Sequence, residues 1–119
     1  MRPFNFIMLL FSFLLISCSK DKAEQVIPTA TFHEIQSLAS QFSPDSLTIN
    51  VGDTVRWTNA SGFHNVNGTS TFFPNNPESF GNAISSNWTF THHFTVTGTY
   101  DYQCDAHYSM GMTGVIIVQ

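Results

Sequence analysis

Apolar and polar positions alternate over short stretches along most of the chain from His33 onward, a period of two that predicts half-buried strands. Ser46 to Val51 alternates, Gly52-Asp53 carries a turn signal, and Thr54 to Asn59 alternates again, which predicts a hairpin. Trp88, Phe90, His92, Phe94 and Val96 share one face of a later strand, with threonines and His93 on the other face and Gly98 at its end. Tyr100, Tyr102 and Cys104 share one face of the next strand. The unbroken apolar run from Met112 to Val118 predicts a strand buried between layers. Asn67 to Asn87 differs: it holds Pro74, Pro77 and many Asn and Ser residues, and reads as a long irregular excursion anchored by Phe72, Phe73 and Phe80. No apolar stripe of helical period of useful length breaks this order. The prediction is an all-β chain, an antiparallel β-sandwich of roughly seven to eight strands in about 90 residues.

The N-terminus follows other rules. Arg2 precedes an apolar run from Phe4 to Ile16, interrupted only by Asn5 and Ser12. At ~1.5 Å per residue that run reaches about 20 Å, short of the ~30 Å hydrocarbon core, so it predicts a secretory leader rather than a span. Its end, Leu15-Ile16-Ser17-Cys18, resembles a bacterial lipobox, which implies cleavage before Cys18 and lipidation of that residue. The expected organisation is a lipoprotein signal peptide over residues 1–17, a lipidated N-terminus and polar tether over 18–29, and one domain over 30–119. The expected location is the cell envelope, lipid-anchored to a membrane and facing the periplasm or exterior.

Removal of the leader leaves 102 residues, in which three basic residues face eight acidic ones for a formal charge of -5. A chain of that length forms one domain and buries roughly 60–70% of its unfolded surface. The acidic residues are scattered, and nothing is basic enough to hold nucleic acid. Cys104 becomes the sole thiol, in a compartment where thiols normally pair as disulfides. Metal ligation accounts for such a lone cysteine, because a coordinating thiol is held deprotonated and shielded from random oxidation.

Cys104, His107 and Met112 lie within nine residues, and soft sulfur beside imidazole nitrogen is the donor mixture that copper selects. His64, in Gly62-Phe63-His64-Asn65-Val66, is the best candidate for a further donor. Met110 competes with Met112 for the thioether role; the glycines on both sides of Met112, Gly111 and Gly114, favour it by permitting a tight turn. His33, His92 and His93 lack such a context and read as structural or surface residues. A thiol enzyme with Cys104 as nucleophile and His107 as base would leave His64 and Met112 without a role, so the chain is not expected to be an enzyme.

Phe42-Ser43-Pro44, Gly52-Asp53-Thr54-Val55, Trp57-Thr58-Asn59, His64-Asn65-Val66, Phe90, Gly98-Thr99-Tyr100, Cys104-Asp105-Ala106-His107 and Gly111-Met112-Thr113-Gly114 together resemble the plastocyanin and azurin group of cupredoxins. The likeness runs in order over about residues 30 to 119. It implies a Greek-key β-sandwich with one type 1 copper, cycling between Cu(I) and Cu(II), held by His64, Cys104, His107 and Met112. It also implies that Asn65 ties the two ligand loops together through hydrogen bonds. The exposed edge of His107 becomes the electron port, ringed by Phe63, Ala106, Tyr108 and Met110 as an apolar docking patch. Gln103 stands where plastocyanins often carry an aromatic residue, and no compact acidic patch is present, so the His107 patch is left as the main port.

The function so implied is a one-electron carrier between redox proteins of the bacterial cell envelope, such as c-type cytochromes or terminal oxidases and reductases, bound transiently. Membrane contact comes through the lipid anchor. The alternative is a copper-binding or copper-buffering module with no electron-transfer role. A binuclear copper centre would want a second cysteine in the ligand loop, and multicopper oxidases or copper nitrite reductases need further domains and histidines.

Overall fold

A computed structural model describes residues 29–119. The expected leader, the lipidation at Cys18 and all but the last residue of the tether lie outside the described residues. Among the described residues nine strands are formed: β1 (Phe32–Ser37), β2 (Phe42–Ser43), β3 (Ser46–Ile49), β4 (Thr54–Asn59), β5 (Asn67–Gly68), β6 (Phe80–Gly81), β7 (Trp88–His93), β8 (Gly98–Gln103) and β9 (Thr113–Val118). They build two facing sheets, ordered β2-β1-β4-β7 and β3-β9-β8-β5-β6. The all-β sandwich is as expected, and the count exceeds seven to eight because β2, β5 and β6 are pieces of two residues each.

The chain crosses between sheets after β2, β3, β4, β6 and β7, and these crossings overturn the expected hairpin. A turn does form at the predicted place, with the Asp53 amide donating to the Asn50 carbonyl at 3.0 Å. Yet β3 pairs with β9, while β4 pairs with β1 and β7. Alternation reports which side chains face inward and is silent about the neighbour across the ladder. Ile49 and Trp57 point into the same core from opposite layers. Nor is the sandwich purely antiparallel: β1 with β4, and β3 with β9, run parallel because each pair is joined through the other sheet.

The core is aromatic. Trp57, fully buried, packs against Phe80, Phe90 and Tyr102 at ring separations of 5.7, 5.6 and 5.5 Å. Phe80 in turn meets Phe94 edge-on at 5.5 Å, and Phe94 meets Tyr100 at 4.9 Å. Such edge and offset contacts each add roughly 0.5–1.5 kcal/mol beyond the area they bury. The alternation predicted for Trp88 to Phe94 is present, but Val96 is 43% exposed in the turn beyond β7, where its carbonyl accepts the Tyr100 hydroxyl at 2.6 Å. The C-terminal run also alternates: Ile116 and Val118 face the core and Ile117 is 39% exposed. β9 is flanked by strands on both edges but covered on one face only, and β-branched residues suit a strand on either face.

Of the three phenylalanines expected to anchor the excursion, Phe80 does so, Phe73 is half-buried and Phe72 is 60% exposed. The other anchors are polar. The buried Asn76 side chain donates to the carbonyls of Gly68 and Asp101 and accepts the Asp101 amide, filling the open edge of β8 as a strand would. Glu78 accepts from the Thr95 amide at 3.0 Å, from the Thr95 hydroxyl, and from His92 Nε2 at 2.9 Å. Asp53 plays a matching role nearer the N-terminus, accepting from the amides of Thr31 and Asn50 and from His33 Nε2 at 2.9 Å. His33 and His92 are thereby structural, and His93 lies at the surface beside Thr54.

Two predictions follow from this packing. Replacement of Phe80 by Ala should cost ~3–5 kcal/mol in denaturant unfolding, whereas Phe72→Ala should stay within about 0.5 kcal/mol. Equal losses would contradict the assignment of anchors. The Thr31 amide and then the His33 imidazole hold the Asp53 carboxyl below its ordinary 3.8. Burial opposes ionisation of Glu78, but the Thr95 and His92 contacts outweigh it and leave that carboxyl below 4.5. A carboxyl with a lowered folded value stabilises the fold above its unfolded value and loses that contribution as pH falls through the folded one. The contribution of these two carboxyls should therefore be flat near neutrality and fall below about pH 4–5. Asp53→Asn should be less stable than the parent at pH 7 by roughly 2 kcal/mol and converge with it in acid, as read from urea midpoints across pH.

Candidate metal centre

His64 lies in the crossing from β4 to β5, and Cys104 and His107 lie in the hairpin from β8 to β9. The upstream loop is fixed by the segment that follows β6. His64 and Ser85 exchange backbone hydrogen bonds at 3.2 Å each, and Trp88 Nε1 donates to the His64 carbonyl at 2.9 Å. Asn59, the last residue of β4, donates to the Gly62 carbonyl at 2.9 Å. The hairpin is closed at its base by the Cys104 amide donating to the Met112 carbonyl at 2.9 Å. It is turned within by the amides of His107, Met110 and Met112, which bond to carbonyls of the same loop.

These constraints bring three donors together. Cys104 Sγ stands 3.7 Å from His64 Nδ1 and 3.6 Å from His107 Nδ1, and the three donor atoms all lie within 4.8 Å of one another. Two donors sharing one ion through bonds of about 2.0 Å to nitrogen and 2.3 Å to sulfur stand at most ~4.3 Å apart, taking zinc as the guide. Both sulfur–nitrogen separations satisfy that limit. Cys104 and His64 are buried and His107 is half-buried, so one ring reaches toward solvent. Burial, and secondarily the charge of His107, hold the His64 imidazole below its ordinary 6.5, which keeps it neutral and able to ligate. One thiol and two imidazoles suit copper, zinc and iron in different geometries, and a nearby thioether selects copper.

Burial separates the two methionines. Met112 is fully buried in the cluster that contains Cys104, and Met110 is 67% exposed. The flanking glycines prove to have distinct roles. Gly111 takes φ +83° as the hairpin leaves its 3₁₀ turn (Tyr108–Met110), as a tight turn requires. Gly114 has no such dihedral, and a Cβ there would fall 2.2 Å from the Tyr102 ring. Its absence of a side chain admits the tyrosine beneath the hairpin.

Asn65 is buried and bonds across the two loops: its Oδ1 accepts the Asp105 amide at 2.8 Å and its Nδ2 donates to Asp105 Oδ2 at 2.9 Å. The sequence reading missed the reach of this contact. Asp105 also accepts from Asn67 and Gln103, and Asn82 accepts the Val66 amide at 2.7 Å. The only sequence signal was an unusual density of asparagines around His64. Phe63, Ala106, Tyr108 and Met110 are all exposed around the hairpin and the upstream loop.

A β-sandwich that closes a cysteine and two histidines on one buried thioether side is a cupredoxin. The match is to copper binding proteins of the plastocyanin/azurin family, over residues 30–119, and the chain belongs to that family. It is 37% identical over 86 residues to plastocyanin of Scenedesmus fuscus, covering 66% of this chain and 86% of that one. It is 30% identical over 95 residues to pseudoazurin of Paracoccus pantotrophus, covering 75% and 64%. Among solved structures, the copper-containing nitrite reductase of Thermus scotoductus superposes with a TM-score of 0.64 at 26% identity, covering 75% of this chain but only 22% of that enzyme. The cofactor of the family is copper, and its plastocyanins and pseudoazurins are electron carriers.

The close approach at Gly114 is testable. Gly114→Ala should cost roughly 1–3 kcal/mol by forcing Tyr102 aside, and Tyr102→Phe should relieve part of that loss because the hydroxyl lies 2.3 Å from the same point. An undiminished thermal midpoint in the single variant would show that the ring is free to move.

Proposed function

We propose that this chain is a type 1 copper protein that carries single electrons in the bacterial cell envelope, with His64, Cys104, His107 and Met112 as ligands. The observation that carries this reading is the trio of donors around Cys104 Sγ, backed by a buried methionine closed onto the cysteine across the hairpin base. Bound copper would supply a Cu(I)/Cu(II) couple whose potential depends on the axial thioether. The chain's own contribution is to fix the donors before metal arrives, to keep His64 neutral, and to exclude water from Cys104.

The half-buried His107 is the port through which electrons pass. Phe63, Tyr108 and Met110, at 66%, 59% and 67% exposure, form with Ala106 an apolar rim suited to brief docking. Its partners are redox proteins such as c-type cytochromes or terminal oxidases and reductases. Lipidation at Cys18 tethers the protein to a membrane, facing the periplasm or exterior; the Leu15-Ile16-Ser17-Cys18 pattern supports this. The chain acts as a carrier and not as an enzyme, a reading supported by its plastocyanin and pseudoazurin relatives.

Cys104→Ser should abolish the intense visible absorption of the copper-loaded protein. Met112→Leu should retain the band and raise the midpoint potential, while Met110→Leu should leave the potential unchanged. A shift in the Met110 variant alone would reassign the axial ligand. Rapid electron exchange with a c-type cytochrome in stopped flow is the expected result, and sluggish exchange with tight copper binding would favour a buffering role.

A further inference from the structure

Asp105 follows Cys104 directly, and its carboxylate is held by donors from three parts of the fold. Oδ1 accepts from Asn67 Nδ2 of β5 at 2.9 Å and from Gln103 Nε2 of β8 at 3.0 Å. Oδ2 accepts from Asn65 Nδ2 of the upstream loop at 2.9 Å, and the Asp105 amide donates to Asn65 Oδ1 at 2.8 Å. All of these side-chain partners are amide donors. They suit an ionised carboxylate, whereas a protonated one would turn a hydroxyl toward a donor. Asn65 and Asn67 are buried, and Asp105 and Gln103 are half-buried. The charge is therefore fixed in position and less screened than one at the surface.

We propose that Asp105 is a positioning residue with two effects on the metal centre: it locks the His64 loop to the Cys104 loop, and its fixed negative charge lowers the reduction potential. The proposal rests on the copper-carrier reading. The oxidised site carries one more positive charge than the reduced site, and an adjacent anion favours the more positive state. This gives Gln103 a role of its own. The position just before the cysteine serves to hold the carboxylate. Asp101, two residues earlier on the same strand and exposed, offers an equal charge in solvent.

The test compares Asp105→Asn, Asp105→Ser and Asp101→Asn in the full chain, copper-loaded and metal-free. Both Asp105 variants should keep the visible band and shift the midpoint potential upward, and Asp101→Asn should shift it several-fold less. In metal-free protein, protection of the residue 105 amide from hydrogen exchange, taken relative to the intrinsic exchange rate of the residue present, should be several-fold lower in Asp105→Ser than in the parent. The serine variant guards against Asp105→Asn failing to fold, since a new amide would face three donors. Potentials unchanged in the Asp105 variants, or moved equally by Asp101→Asn, would overturn the charge effect. Unchanged protection would overturn the lock. A parent protein with no visible band would instead sink the carrier reading, and the metal-free arm would still decide the lock.

Discussion

The bond pair between Asn65 and Asp105 joins two stretches of chain that are 40 residues apart in sequence. Bringing such distant segments together in a flexible chain costs roughly 3 kcal/mol in loop closure alone. Here the cost is met by folding of the sandwich, because β5 pairs with β8 at Asn67 and Gln103, directly beside the joined loops. The donors consequently meet without waiting for a metal. A site assembled this way differs from one that a metal must gather from an unfolded chain.

Support for that junction extends outward through polar contacts and not through the aromatic core alone. Asn76 caps the edge of β8, Glu78 and His92 fasten the excursion to β7, and Trp88 with Ser85 fixes the backbone of His64. The segment from Asn67 to Asn87, irregular in sequence, thus acts as a brace reaching from the far end of β8 to the metal loop. Each contact satisfies a backbone or side-chain group that would otherwise be stranded in a long loop.

How much of this was legible in the sequence depends on range. The inward faces of Trp57, Phe90, Tyr100 and Tyr102 followed from alternation, and the donors followed from residue types that sit close together in a short loop. Which strands pair did not, since β3 and β4 each present an inward face to one core while belonging to opposite sheets. Phe72 was mistaken for an anchor because hydrophobicity marks what can be buried, whereas Asn76, a polar residue, was placed by backbone groups that only the fold brings near. Asp105 was hidden for the same reason. Its three donors come from separate elements, and nothing local announces them.

The entry of the chain into the sandwich has a geometric consequence. Thr31 is bonded to Asp53 and Phe32 pairs with Thr54, at the start of β4, whereas the metal loop begins beyond Asn59 at its other end. Six residues of strand, roughly 20 Å, separate these two poles. An attachment made directly at the start of the sandwich, beside Thr31, would meet the pole opposite His107. The exposed residues around His107 therefore lie clear of the point where the chain enters the sandwich.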